Sequence, residues 1–135
     1  MKHLCIATST TEVLYASRYY PGIMHDKTMF EEESQTEKLH PKIKKLFDLA
    51  FIGVEKDYPD AVLPNKKPKG KELTKGQKQQ NRKISRIRIK VENSFAGVKR
   101  LRIVYNVCRI IRDDFIDLVF NVSCGIWNYY LANSL

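Results

Sequence analysis

Two carboxylates stand where an acid is either costly or useful. Asp48 interrupts the apolar run Leu46-Phe47-Asp48-Leu49-Ala50-Phe51-Ile52. Inside a buried strand such a group loses hydration unless a metal or a basic partner compensates it. At a strand end it is simply solvated, or it caps the next turn. Glu92 lies in a helical stretch, beside the apolar face and within a basic segment. Alone it reads as the ion-pair partner of Arg88, four residues earlier, a contact worth about 0.3–0.5 kcal/mol. Taken as a pair, an acid on a central strand and an acid on a helix packed over it can hold divalent cations. Two such ions about 3.5–4 Å apart serve phosphodiester chemistry, one activating the attacking water or hydroxyl and one stabilising the leaving oxygen. Hard divalent cations prefer oxygen ligands, and no His/Cys cluster competes for the role.

The charge distribution supplies a substrate class. The 135 residues carry a formal net charge of +9, with 24 Lys and Arg against 15 Asp and Glu. Fourteen of those bases fall between Lys66 and Arg102, where the acids are only Glu72 and Glu92, so the whole excess lies in one segment. A polyanion is the partner such a segment suggests. Candidate phosphate contacts are Lys66, Lys67, Lys69, Lys71, Lys78, Arg82, Lys83, Arg86, Arg88, Lys99 and Arg100. Cys5, Cys108 and Cys124 are odd in number and without a CxxC pair, which suits a reducing cytosol and argues against a disulfide framework or a zinc knuckle. No apolar run reaches the roughly 20 residues of a membrane span.

The elements that must position these groups follow from pattern. His3 to Thr8 and Glu12 to Tyr20 read as a hairpin turning at Ser9-Thr10-Thr11, stopped by Pro21-Gly22. A helix is predicted from about Asp26 to Leu39, with Asp26 as its N-cap and Glu31, Glu32 and Glu33 in its early turns. His25 reads as a packed or hydrogen-bonded side chain. Lys45 to Gly53 is predicted as a buried strand carrying Asp48, and Ala61 to Pro64 as a further short strand after the turn Asp57-Tyr58-Pro59-Asp60. Asn65 to Lys71 is a basic loop. Thr74 and Gln77 fit a capping box that opens a long helix to about Arg100, with Ile84, Ile87, Val91, Phe95 and Val98 on its apolar face. A last helix from Asp113 or Asp114 is predicted to bury Leu118, Val119, Val122, Ile126 and Tyr130. The aromatics Tyr19, Tyr20, Phe95, Trp127, Tyr129 and Tyr130 read as core and interface, with at most one or two left for stacking on bases.

Several blocks in order resemble one family. They are Pro21-Gly22-Ile23-Met24-His25-Asp26, Phe47-Asp48-Leu49-Ala50-Phe51, Leu63-Pro64-Asn65-Lys66-Lys67-Pro68-Lys69-Gly70, Gln79-Gln80-Asn81-Arg82, Arg88 through Arg100, and Ile126-Trp127-Asn128-Tyr129-Tyr130-Leu131. Together they are similar to the DDE-type insertion-sequence transposases, in the group related to the Harbinger-type nucleases. The resemblance implies an α/β, RNase H-like mixed sheet with flanking helices, forming one domain over residues 1–135. It implies two Mg2+ (or Mn2+) ions for DNA strand cleavage and transfer, with Asp48 as the second acid of the triad and Glu92 as the third. Ala50 stands where the family often has glycine. No Asp precedes Asp26, so the expected domain is N-terminally truncated and lacks the first acid. The expected partners are DNA, both transposon ends and target, and either the upstream half of a split transposase or a second copy. The expected location is the cytoplasm, associated with the nucleoid. The competing reading is a non-catalytic basic module that binds DNA or RNA.

Overall fold

The computed structural model describes residues 2–33, 40, 42–105 and 113–134. The order of elements is β1 (Cys5–Ala7), β2 (Val13–Ala16), α1 (Asp26–Glu33), β3 (Lys45–Leu46), β4 (Ala61–Val62), α2 (Lys75–Val98), α3 (Arg102–Tyr105) and α4 (Asp113–Asn133), with short 3-10 turns at Leu49–Phe51 and Val54–Lys56. The class is mixed α/β with small sheets. Two compact units form, one from the first 23 residues together with the stretch from Ile89 onward, the other from Met24–Arg88.

In the first unit β1 and β2 pair antiparallel, Cys5 opposite Ala16 and Ile6 opposite Tyr15, as the alternating pattern predicts. The turn closes with Thr8 N donating to Glu12 O at 2.8 Å, and Thr11 takes a positive φ of 73° at the tip. The hairpin packs on α4 around Val13, Val98, Phe120 and Cys124, with Trp127 and Val104 against them. Here the structure corrects the predicted face of α4. Phe120, Ser123 and Cys124 are buried, whereas Leu118, Val122, Ile126 and Tyr130 are exposed. Polar tethers set that rotation. Asn128 accepts from Val13 N at 2.9 Å and donates to Val13 O at 2.8 Å, while Trp127 Nε1 donates to Thr11 O at 2.9 Å. Trp127 then lies so close to α2 that a Cβ on Gly97 would stand 2.3 Å from its ring. Cys5 and Cys124 are free thiols whose mutual hydrogen bond raises the first and lowers the second; Cys108 lies outside the described residues.

In the second unit α1 opens with the His25 carbonyl accepting from Met29 N at 3.1 Å, so Asp26 is the first helical residue and His25, exposed, takes the cap position assigned to Asp26. The predicted continuation over 34–39 lies outside the described residues. β3 and β4 pair parallel for two residues each, Lys45 with Ala61 and Leu46 with Val62. The core is aromatic. Phe30 meets Phe47, Phe51 and Tyr58 edge-on at centroid distances of 5.0, 6.1 and 5.4 Å.

That cluster explains why the predicted strand over Lys45 to Gly53 forms only at Lys45–Leu46. The rings of Phe47 and Phe51 are 5.7 Å apart. In a strand, residues four apart are separated by about 13 Å. Both phenylalanines can reach Phe30 only if the chain turns between them, so the ladder ends after Phe47 N donates to Val62 O at 3.0 Å.

Candidate nucleic-acid interface and carboxylates

Asp48 sits at that turn. Instead of lying buried within a strand, it caps the 3-10 turn, its Oδ1 accepting from Leu49 N at 2.7 Å. The side chain is 50% exposed, and Arg88 Nη1 of α2 lies 3.5 Å from the same oxygen. The strand expectation is therefore corrected, while the capping alternative matches the geometry. With Oδ1 engaged, Oδ2 and the outward lone pairs are the donor set a hard cation could use. Glu92 is exposed on α2, one turn beyond Arg88. Among the described residues no three His, Cys, Asp or Glu side chains gather as a ligand cluster.

The basic segment is laid out by devices that the charge pattern alone does not reveal. The capping box forms as predicted, with Gln77 N donating to Thr74 Oγ1 at 3.2 Å and Thr74 N to Gln77 Oε1 at 3.0 Å. α2 thereby starts at Lys75 and continues to Val98. Its buried side carries Ile84, Ser94 and Val98. Ile87, predicted on that side, is 42% exposed. At 100° per residue, Lys75, Lys78, Arg82, Arg86 and Lys90 fall within roughly a third of the helix circumference, turned away from Ile84 and Val98. They span about 22 Å along the axis at 1.5 Å per residue. All fourteen Lys and Arg between Lys66 and Arg102 are exposed.

The loop before α2 is fastened to it. Asn65 N donates to Asn81 Oδ1 at 2.8 Å, Asn81 Nδ2 donates to Asn65 O at 3.0 Å, and Asn65 Nδ2 donates to Gln80 Oε1 at 3.1 Å. A side-chain amide thus satisfies both backbone groups of Asn65, as a neighbouring strand would, and fixes where Lys66, Lys67 and Lys69 begin. Glu72 then draws Lys67 and Lys78 together, with Lys78 Nζ 3.2 Å from Oε2. The two ammonium groups hold its carboxyl below the usual carboxylate range. Asn81, Gln80 and Glu72 are the positioning residues that sequence reasoning missed. The only available signal was an uncharged Gln-Gln-Asn in an otherwise basic helix face and a lone acid among lysines.

At the far end of α2, Lys99 and Arg100 are exposed. The Arg100 guanidinium carbon lies 5.7 Å from the Trp127 ring centroid and 5.4 Å from that of Tyr130, and those two rings stack at 5.7 Å and 24°. Hydrogen bonds from Ser134 and then Arg100 lower the Tyr130 hydroxyl. No helix among the described residues is long and apolar enough to cross a membrane.

Known proteins resemble this chain. A family model described as DDE superfamily endonuclease matches residues 1–128. Over 111 residues the chain is 36% identical to the probable transposase for insertion sequence element IS702 of Microchaete diplosiphon, an overlap of 82% of this chain and 39% of that protein. The chain accordingly spans well under half the length of this relative. No solved structure matches it.

Proposed function

Because the chain belongs to the DDE superfamily endonucleases, we propose that it contributes two metal-binding acids, Asp48 and Glu92, and a DNA-carrying basic surface to strand cleavage and transfer in transposition. The observation that carries this reading is the exposed, turn-capping Asp48 in the family-like block Phe47 to Phe51, beside a helix that exposes Lys75, Lys78, Arg82, Lys83, Arg86, Arg88 and Lys90. A carboxylate held at a turn keeps an oxygen accessible, which a strand interior would deny it. Bound Mg2+ or Mn2+ would supply Lewis acidity and an activated oxygen nucleophile. Asp48 and Glu92 would act as its ligands. Arg88, now 3.5 Å from Asp48, is suited to take a DNA phosphate oxygen once a cation occupies the carboxylate, since guanidinium pairs with either anion. Lys66, Lys67, Lys69, Lys71, Lys78, Arg82, Lys83, Arg86, Lys99 and Arg100 neutralise backbone phosphates along the approach.

The RNase H-like sheet, a single domain over residues 1–135 and a cytoplasmic, nucleoid-associated setting belong to the same proposal. The overlap is 39% of the relative, and the reading assigns only the second and third acids of the triad to residues of this chain. The isolated chain is therefore expected to bind DNA and Mn2+ without efficient Mg2+-dependent nicking. The deciding experiment measures Mn2+ affinity in the parent, Asp48→Ala and Glu92→Ala. Weaker binding in both supports the reading, and unchanged affinity in both refutes it. Robust nicking by the 135-residue chain would overturn the assignment of only two acids to it. The engagement of Asp48 as a cap favours one rival, a non-catalytic module. That rival predicts salt-dependent nucleic-acid binding indifferent to either substitution and to divalent metal.

A further inference from the structure

Trp127 and Asn128 of the closing block are spent on structure, tying α4 to the hairpin through Thr11 and Val13. Tyr130 stacks on Trp127 through one side and leaves the rest of its ring open, and Tyr129 is more open still. Tyr129 is 72% exposed and Tyr130 is 49% exposed, although every other tyrosine and phenylalanine with a described side chain is at least partly covered or only marginally open. Adjacent exposed rings rimmed by polar side chains form the kind of apolar patch that marks an interaction site. Beside Tyr130 stands one cation, Arg100, preceded in the chain by Lys99. Lys99 is exposed, and Arg100 lies over the Trp127 and Tyr130 rings. A guanidinium stacked on aromatic faces keeps its N–H edge directed outward, where it can pair with a phosphate oxygen.

We propose that Tyr129, Tyr130, Arg100 and Lys99 form a site for unpaired nucleotides of a single DNA strand. The tyrosine rings stack on bases, and the two cations take the intervening phosphates. Every base has a π face, so such a site tolerates sequence, and each stacked base is worth enough to change affinity about five-fold or more. α4 turns by about 100° between consecutive residues, so the two rings leave the helix in adjoining directions and serve neighbouring bases of a flexible strand rather than one plane of a duplex. The site suits a strand opened at a cleaved end, whereas the stripe from Lys75 to Lys90 suits the duplex. The inference rests on the DNA reading above and goes beyond it by assigning strandedness to a separate surface.

The test uses the 135-residue chain, a short oligothymidylate, the same strand with abasic positions, and a duplex of equal length. Trp127 is the one tryptophan, and it stacks on Tyr130, so its fluorescence reports occupancy alongside anisotropy of labelled DNA. Oligothymidylate is expected to quench Trp127. Tyr129→Ala and Tyr130→Ala should each weaken oligothymidylate binding about five-fold or more while changing duplex binding by less than about two-fold. Removing the bases from the oligonucleotide should produce the same loss on the parent protein, a control independent of how any variant folds. Equal binding of the abasic and intact strands overturns the site, as does loss of strand and duplex binding in parallel. Unchanged strand binding in Tyr129→Ala with an altered oligomeric state would also overturn it, assigning that ring to a protein contact. If the parent binds neither strand nor duplex, it is the DNA reading itself that fails.

Discussion

Gly97→Ala tests whether Trp127 is the pin between α2 and α4. An ideal Cβ at Gly97 would stand 2.3 Å from Trp127 Cε3 and 2.4 Å from both Cδ2 and Cζ3. Carbon atoms settle at about 3.5–4.0 Å, so the ring must retreat by more than about 1 Å. It is a rigid plane, and its Nε1 donates to Thr11 O at 2.9 Å. The adjacent Asn128 holds both backbone groups of Val13. Retreat of the ring therefore strains the α4–β2 seam as well as the contact itself. Overpacking of this kind costs about 1–3 kcal/mol, and loss of the indole hydrogen bond adds about 1 kcal/mol. Alanine returns about 1 kcal/mol through its better helix propensity. The net expectation is a destabilisation of about 1–3 kcal/mol, a large share of the 5–15 kcal/mol that a domain commonly has.

Urea unfolding followed by Trp127 emission reads both consequences at once. The midpoint should fall, and the folded-state emission should shift to longer wavelength as the indole leaves its pocket. In a Trp127→Leu background the same alanine should be neutral or stabilising, because the obstructing plane is gone. A Gly97→Ala protein as stable as its parent, with unshifted emission, would refute the packing argument; only the propensity gain would then remain.

Asp48→Asn should leave stability within about 1 kcal/mol, because the Arg88 contact is half-exposed and exposed pairs are worth little; chemical denaturation checks this, and Mn2+ affinity should nonetheless fall. Replacing Lys78, Arg82 and Arg86 together by glutamine should flatten the slope of log K against log salt on duplex DNA by about 2–3, at about 0.9 per phosphate contact. An unaltered slope would remove that stripe from the interface. The Glu72 carboxyl, lowered by Lys67 and Lys78, should titrate below the usual carboxylate range when followed by NMR at its carboxyl carbon. A depressed folded-state value means that the three-residue contact is present above the unfolded carboxylate range and is lost as pH falls through the folded value. A Glu72 titrating in the ordinary range would contradict the geometry of the loop.

Local chemistry was legible where a residue's role is completed within a few positions. Thr74 and Gln77 announce a helix start because both halves of the capping box lie three residues apart. The hairpin is equally local, since alternation and a polar turn specify β1 and β2. Asp48 was misread as structure. Its apolar neighbours suggest a strand, but Phe47 and Phe51 owe their hydrophobicity to a shared partner, Phe30, which lies 17 positions before Phe47. No window of ordinary length contains that partner. The Asn65–Asn81 clamp, 16 positions apart, is hidden for the same reason.

α4 shows a different limit. Its sequence is apolar on two sides, so a 3.6-residue period admits two buried faces. One runs through Leu118, Val122 and Ile126, the other through Phe120, Cys124 and Trp127. Hydrophobicity does not choose between them, because either would bury comparable side chains. The choice is made by groups that hydrophobic reasoning discounts. The Asn128 amide needs the open backbone pair of Val13, the Trp127 N–H needs the Thr11 carbonyl, and Gly97 leaves the gap that the indole fills. Burying the first face would strand the Asn128 amide and the indole N–H away from these partners, and each unsatisfied group costs about 1–3 kcal/mol. The second face wins through its polar tethers. The consequence for function is direct, since the same rotation that seats Trp127 in the core turns Tyr129 and Tyr130 outward. In this helix a structural tryptophan and an exposed tyrosine pair are two results of one rotational choice.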